Sequence, residues 1–245
     1  MKESSHPLET AVAVLVLVCG VLTAFFGWIS GTETALQPVG PTESIDVPVT
    51  VVIDAGHGGE DGGTQSAAGL YEKTVNLEIA HMLNTMLRAN GIKTIMTRTE
   101  DILLYDRNAD YQGKKKMLDL ATRRKITEET EHAIFISIHM NAFPESKYYG
   151  LQVFYSPNDP SSSTLAEEIR SCNSAYLQRD NTRKCKEATS AIYLLDRLTC
   201  PAVLVECGFL SNPEEAARFE TTEYRQQMAF VLFCAIMSHI SKQTA

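Results

Sequence analysis

The chain predicts an α/β fold: a single three-layer domain with an about six-stranded, mostly parallel sheet, helices on both faces, and one hydrophobic helix before it. Three observations lead there. Short apolar or β-branched runs alternate with stretches whose apolar residues recur at helical spacing, the pattern of strands joined through crossover helices. Polar residues capable of chemistry stand where the apolar runs stop, the edge at which such sheets hold ligands. One uncharged block near the amino terminus is set apart from everything after it.

Residues 1–10 read as a polar, cytoplasmic tail. Ala11 to Ile29 carries no charge and would span about 28 Å as a helix, close to the hydrocarbon thickness of a bilayer. Trp28 stands at its outer end, where an amphipathic ring suits the interface. No small-x-small cleavage site follows, so residues 11–29 are expected to be an uncleaved transmembrane signal-anchor, with a cleaved signal as the alternative. Lys2 precedes the block and no Lys or Arg follows before Lys73, which orients the remainder outside the cytoplasm. Residues 30–48, rich in Thr, Gly, Pro and acids, form a linker. Residues 49–241 then make one domain without internal repeats.

A formal net charge of −8 argues against a nucleic-acid partner, and Lys114-Lys115-Lys116 reads as a solvated loop. Of the 6 cysteines, Cys19 falls in the hydrophobic block, which leaves an odd number in the domain and no C-x-x-C pair. A framework of disulfides is therefore not expected, and Cys172, Cys207 and Cys234 read as core thiols.

The elements follow in order. Val51 to Ile53 is a buried strand that stops at a glycine-rich turn, Gly56-His-Gly-Gly-Glu-Asp-Gly-Gly63. Lys73 to Asn90 carries a helical apolar face and ends at Gly91, a helix-terminating residue. Lys93 to Thr97 is a short strand, Asp101 to Lys116 a polar loop, and Leu118 to Thr130 a helix. Ala133 to Ile138 and Leu151 to Tyr155 are strands, and Ser163 to Leu177 is a helix. Ile192 to Leu195 and Ala202 to Val205 read as two short strands. Asn212-Pro213 opens a helix, with Pro at its first position, and Tyr224 to Ile240 closes the domain as a long helix.

Four residues stand out from this pattern. His57 follows the first strand, Glu72 opens the next helix, His139 ends the strand Phe135 to His139, and Glu206 ends Val203-Leu-Val-Glu206. If those strands are parallel neighbours, all four gather on one edge of the sheet. Two imidazoles and a carboxylate with one open position form a catalytic zinc site, and a second carboxylate can then take the proton from water. Glu206 is hard to explain otherwise, since burying a lone carboxylate after three apolar residues costs several kcal/mol. His6, His81, His132 and His239 have no such setting and read as surface or helix-face residues.

The segments around these residues, Ile53-Asp-Ala-Gly-His-Gly-Gly-Glu-Asp-Gly-Gly63, Glu72-Lys73, Ser137-Ile-His-Met-Asn-Ala142 and Glu206-Cys-Gly-Phe-Leu-Ser-Asn212, resemble the zinc-dependent N-acetylmuramoyl-L-alanine amidases of bacterial cell walls (Amidase_3). The resemblance spans nearly the whole domain. It implies that His57, Glu72 and His139 hold one Zn2+ and that Glu206 is the catalytic carboxylate. The substrate it implies is peptidoglycan, cut between the lactyl group of muramic acid and L-alanine. Asn181-Thr-Arg-Lys184 and Ile192-Tyr-Leu-Leu195 add a likeness to the germination-specific, CwlD-type members, which strip stem peptides from spore cortex. The alternatives are another zinc peptidoglycan peptidase and a membrane-tethered wall-binding module without catalysis. Either enzymatic reading leaves room for an activating protein partner.

Overall fold

A computed structural model describes residues 49–106, 108 and 113–243. The tail, anchor and linker expected over residues 1–48 lie outside the described residues. Among the described residues, no helix is long and apolar enough to cross a membrane.

Six strands form one sheet: β1 (Thr50–Ala55), β2 (Lys93–Met96), β3 (Ala133–Asn141), β4 (Gln152–Tyr155), β5 (Lys186–Glu187) and β6 (Ala202–Phe209), in the spatial order β2-β1-β3-β6-β4-β5. β2, β1, β3 and β6 run parallel, while β4 lies antiparallel to β6 and parallel to β5. The mostly parallel sheet expected from the alternation is therefore present, with a reversed pair at one edge.

Side-chain alternation along the strands builds two cores. Val51, Ile53, Ile134, Ile136, Ile138, Val203 and Val205 face one way. They are covered by α1 (Glu72–Ala89), α3 (Ser161–Tyr176) and α6 (Thr222–Gln243). Val52, Ala133, Phe135 and Ala202 face the other way, under α2 (Lys115–Glu128) and the short α4 (Tyr193–Arg197). Period-2 alternation with both faces apolar is what a doubly covered sheet requires. α5 (Pro213–Phe219) opens with Pro at its start, and the Asn212 side chain accepts the amides of Glu214 and Glu215. At the end of α1, Gly91 (φ 80°) donates to the Arg88 carbonyl and Ile92 to that of Leu87, the two bonds of a Schellman cap.

Several expectations change. Ile192 to Leu195 is not a strand: Tyr193–Arg197 is helical, with Leu194 and Leu195 buried in the second core. An apolar run that short has no period to distinguish helix from strand, and the sheet edge is instead made by the charged pair Lys186–Glu187. His139 and Glu206 do not end their strands, because β3 continues to Asn141 and β6 to Phe209 through an irregular register. Lys115 and Lys116 belong to the first turn of α2, and they approach Glu60 (2.7 Å) and Asp61 (3.8 Å) on the glycine loop. His239 is buried rather than on an open helix face, with Nδ1 2.9 Å from Glu168 Oε2 across α3 and α6. The five described cysteines are free thiols; Cys207 is buried, whereas Cys172 and Cys234 are only half-buried.

Candidate metal centre

The site lies at the carboxyl ends of β1, β3 and β6. β1 delivers the chain to Gly56, where an added Cβ would collide with the His139 ring, so no larger residue fits between strand and imidazole. His57 then takes a left-handed backbone (φ 63°), uncommon for a residue with a side chain. That turn swings its imidazole back over the sheet edge. Gly63 leaves room in the same way for Glu72, with which a Cβ there would clash.

Glu72 is the first residue of α1 and is buried. Its Oε2 accepts the Thr64 amide (2.8 Å), and its Oε1 accepts the Met140 amide (3.0 Å). Oε1 also lies 3.2 Å from His57 Nε2 and 3.0 Å from His139 Nδ1. Burial alone would push this carboxyl up, but hydrogen bonds from His139 and His57, with their charges, hold it far below the usual carboxylate range. Burial lowers His57, yet Glu72 and Asp61 outweigh it and raise the imidazole above its ordinary value.

One ligand atom from each of His57, Glu72 and His139 lies within 4.8 Å of the others. The edge of a tetrahedron with about 2.0 Å bonds is roughly 3.3 Å, so separations of 3.0 and 3.2 Å suit a small cation such as zinc. The donor set, two imidazoles and one carboxylate, is also that of open zinc sites. Asp61 Oδ1 stands 2.9 Å from the far nitrogen of His57, a charge contact without hydrogen-bond alignment, on the side from which a carboxylate orients a ligating imidazole.

Glu206 faces His139 across the β3–β6 pair. Its Oε2 is buried without a hydrogen-bond partner among the described residues. Burial pushes the carboxyl up to about 7; Glu72 adds to this, while His139 and His57 oppose it. A carboxylate poised near neutrality beside a cation site can both take up and release a proton in that range.

All four residues expected from the sequence are thus brought together. The residues that hold them in place carry weaker signals in the sequence, or none. Arg123, buried in α2, donates to Asp54 (2.6 Å), to the Ala55 carbonyl (2.8 Å) and to the His57 carbonyl (2.7 Å). Arg98 donates to the carbonyls of Ala55, Gly56 and Lys73. Asn76 donates to Gly56 and Glu72. Asp54 gave a signal of the same kind as Glu206, a charge set against Val51-Val-Ile53, whereas Arg98 and Arg123 gave none.

A family model described as N-acetylmuramoyl-L-alanine amidase matches residues 51–238. The germination-specific N-acetylmuramoyl-L-alanine amidase of Bacillus subtilis is 32% identical over 197 residues, 79% of this chain and 80% of its own length. Among solved structures, the CwlD amidase of Clostridioides difficile, in complex with the GerS lipoprotein, is 34% identical. It superposes with a TM-score of 0.75 over 79% of this chain and 98% of that one. The amidase AmiC2 of Nostoc punctiforme is 29% identical, with a TM-score of 0.66 over 80% of this chain and 98% of that one.

Proposed function

The chain belongs to the N-acetylmuramoyl-L-alanine amidase family and hydrolyses the amide between N-acetylmuramic acid and L-alanine; from that premise we propose that His57, Glu72 and His139 hold zinc and that Glu206 carries the proton. Zinc bound there would polarise the amide carbonyl and make water a competent nucleophile at neutral pH. Glu206 accepts the proton of the attacking water and returns it to the leaving L-alanine nitrogen, as general base and then general acid. Asp61 keeps the His57 ring oriented, and the Thr64 and Met140 amides fix the Glu72 carboxylate. The observation that carries these roles is the partnerless, buried Glu206 oxygen opposite His139.

We extend the reading to the cell. The likeness to a germination-specific amidase supports stem-peptide removal from spore cortex, and the complex of the Clostridioides difficile relative supports an accessory protein for this chain too. The uncharged block at residues 11–29 supports an extracytoplasmic, membrane-anchored enzyme. The reaction is tested by mass spectrometry of digested peptidoglycan. Free stem peptides beginning with L-alanine, beside peptide-free muramic acid, are expected. Products cut within the peptide would point instead to a peptidase.

A further inference from the structure

Beyond Glu206, the β3–β6 register changes. His139 pairs with Glu206 and Asn141 with Phe209, so the β6 strand uses one more residue than β3 over this step. That extra residue returns Phe209 to the face that carries Glu206. Two residues of β3 separate the pairs, which places Phe209 roughly 7 Å farther along the sheet edge.

The Arg183 guanidinium lies over the Phe209 ring, 4.6 Å from its centroid. Its Nε is spent on the Tyr149 carbonyl (2.7 Å), and its amide donates to Asn181 Oδ1 (3.0 Å), so stem and plane are both held. The two terminal nitrogens donate to no described residue. They border a cavity of about 160 Å3 lined by Lys147, Tyr148, Tyr149, Asn181, Thr182 and Arg183. Lys147 Nζ is held 5.3 Å from the Tyr148 ring centroid. Among the described residues, two cations and no acid line this hollow. The Glu215 carboxylate nearby feels the Arg183 charge, but it is buried and hydrogen-bonded to the amides of Gly150 (3.0 Å) and Phe209 (2.7 Å). A guanidinium fixed through its Nε, with its central carbon over an aromatic ring, keeps its two terminal nitrogens for a planar carboxylate.

We propose that this cavity is a carboxylate subsite, in which Arg183, assisted by Lys147, receives the free α-carboxylate of the second stem-peptide residue. The inference rests on the amidase reading. The scissile amide sits at the Glu206–His139 pair, and an extended peptide advances about 3.5 Å per residue. The residue after L-alanine, a glutamate linked through its side chain, thus has its α-carboxylate within reach of the Arg183 hollow. The aromatic ring beneath Arg183 keeps the cation in place before substrate arrives, which lowers the ordering cost of binding.

The test uses two sets of uncrosslinked glycan strands whose peptides differ at one group, a free α-carboxylate or a carboxamide on the second residue. The wild-type enzyme should cleave the carboxylate form with a KM about 10- to 100-fold lower, the range of a charge-assisted pair. Arg183→Gln should raise the KM for the carboxylate form to that of the carboxamide form, leaving kcat, the carboxamide KM and zinc content unchanged. Arg183→Lys, which keeps charge without the fork, should fall between them. A wild-type enzyme indifferent to the two strands, or an Arg183→Gln variant that loses both equally, overturns the subsite. Failure of the wild-type enzyme to release L-alanine-terminated peptides from either strand overturns the amidase reading instead.

Discussion

Glu72 and Glu206 are both carboxylates at the same sheet edge, yet their surroundings push them apart. Glu72 is surrounded by donors, two backbone amides and two imidazoles, and is held ionised. Glu206 has an orphaned oxygen and is pushed up to about 7 by burial. Environments that separate two carboxyls in this way assign one to charge and the other to proton transfer. Glu206→Gln keeps the shape but cannot accept a proton. It should retain zinc while turnover falls by at least ~100-fold. Glu72→Gln loses a charged ligand, so its zinc content should fall and excess zinc should restore part of its activity. Zinc content and rate, with and without added metal, check both variants. Loss of zinc from Glu206→Gln, with activity recovered on adding metal, would reverse the two roles.

At the scale of elements, the ligand loop is held from beneath by a buried ionic network. Asp54 on β1 accepts from Thr97 after β2 (2.6 Å), Ser137 on β3 (2.7 Å) and Arg123 on α2 (2.6 Å). Arg123 also bonds Asp119 on its own helix (2.8 Å), and Asp119 accepts the Leu104 amide (2.8 Å). The strands, the helix and the loop beyond β2 are thereby tied to the backbone that carries His57. Burial would raise the Asp54 carboxyl, but the charge of Arg123 and the hydrogen bonds outweigh it and hold the group below its ordinary value. A depressed folded-state pKa stabilises fully above the unfolded value, about 3.9, and that stabilisation fades as pH falls through the folded value. Asp54→Asn should therefore cost about 3 kcal/mol at neutral pH, since it leaves Arg123 short of a charge partner. The gap to wild type should narrow below about pH 4. Urea unfolding across pH measures it; a gap that stays constant into acid would show that the Asp54 charge is not what matters.

For the whole molecule, the proposed extracytoplasmic location rests on the uncharged stretch at residues 11–29. The intact chain should partition with membranes and keep Met1 or Lys2 at its terminus, while a chain beginning at Val49 should remain in the aqueous fraction. Fractionation with terminal sequencing checks this. A mature terminus near residues 30–37 would show that the segment is removed, and a domain reachable only from the cytoplasm would remove it from its wall substrate.

By itself the sequence determined the fold class, most elements and all four residues of the candidate centre. Each of these is a local signal. Alternation and helical spacing are written over a few residues, and His57, Glu72, His139 and Glu206 each interrupt such a pattern beside glycines or apolar runs. Tertiary structure alone decided the rest. Arg123 looks like any charged helix residue until folding brings it to Asp54, 69 positions away, and His239 looks exposed until Glu168 on α3 closes over it. Ile192 to Leu195 has no local period that distinguishes helix from strand, and it is the helical form that buries Leu194 and Leu195 in the second core. The Arg183 hollow depends on a register change between two strands and a loop from beyond α3. Contacts of that kind join residues far apart in the chain, and no short stretch of sequence records them.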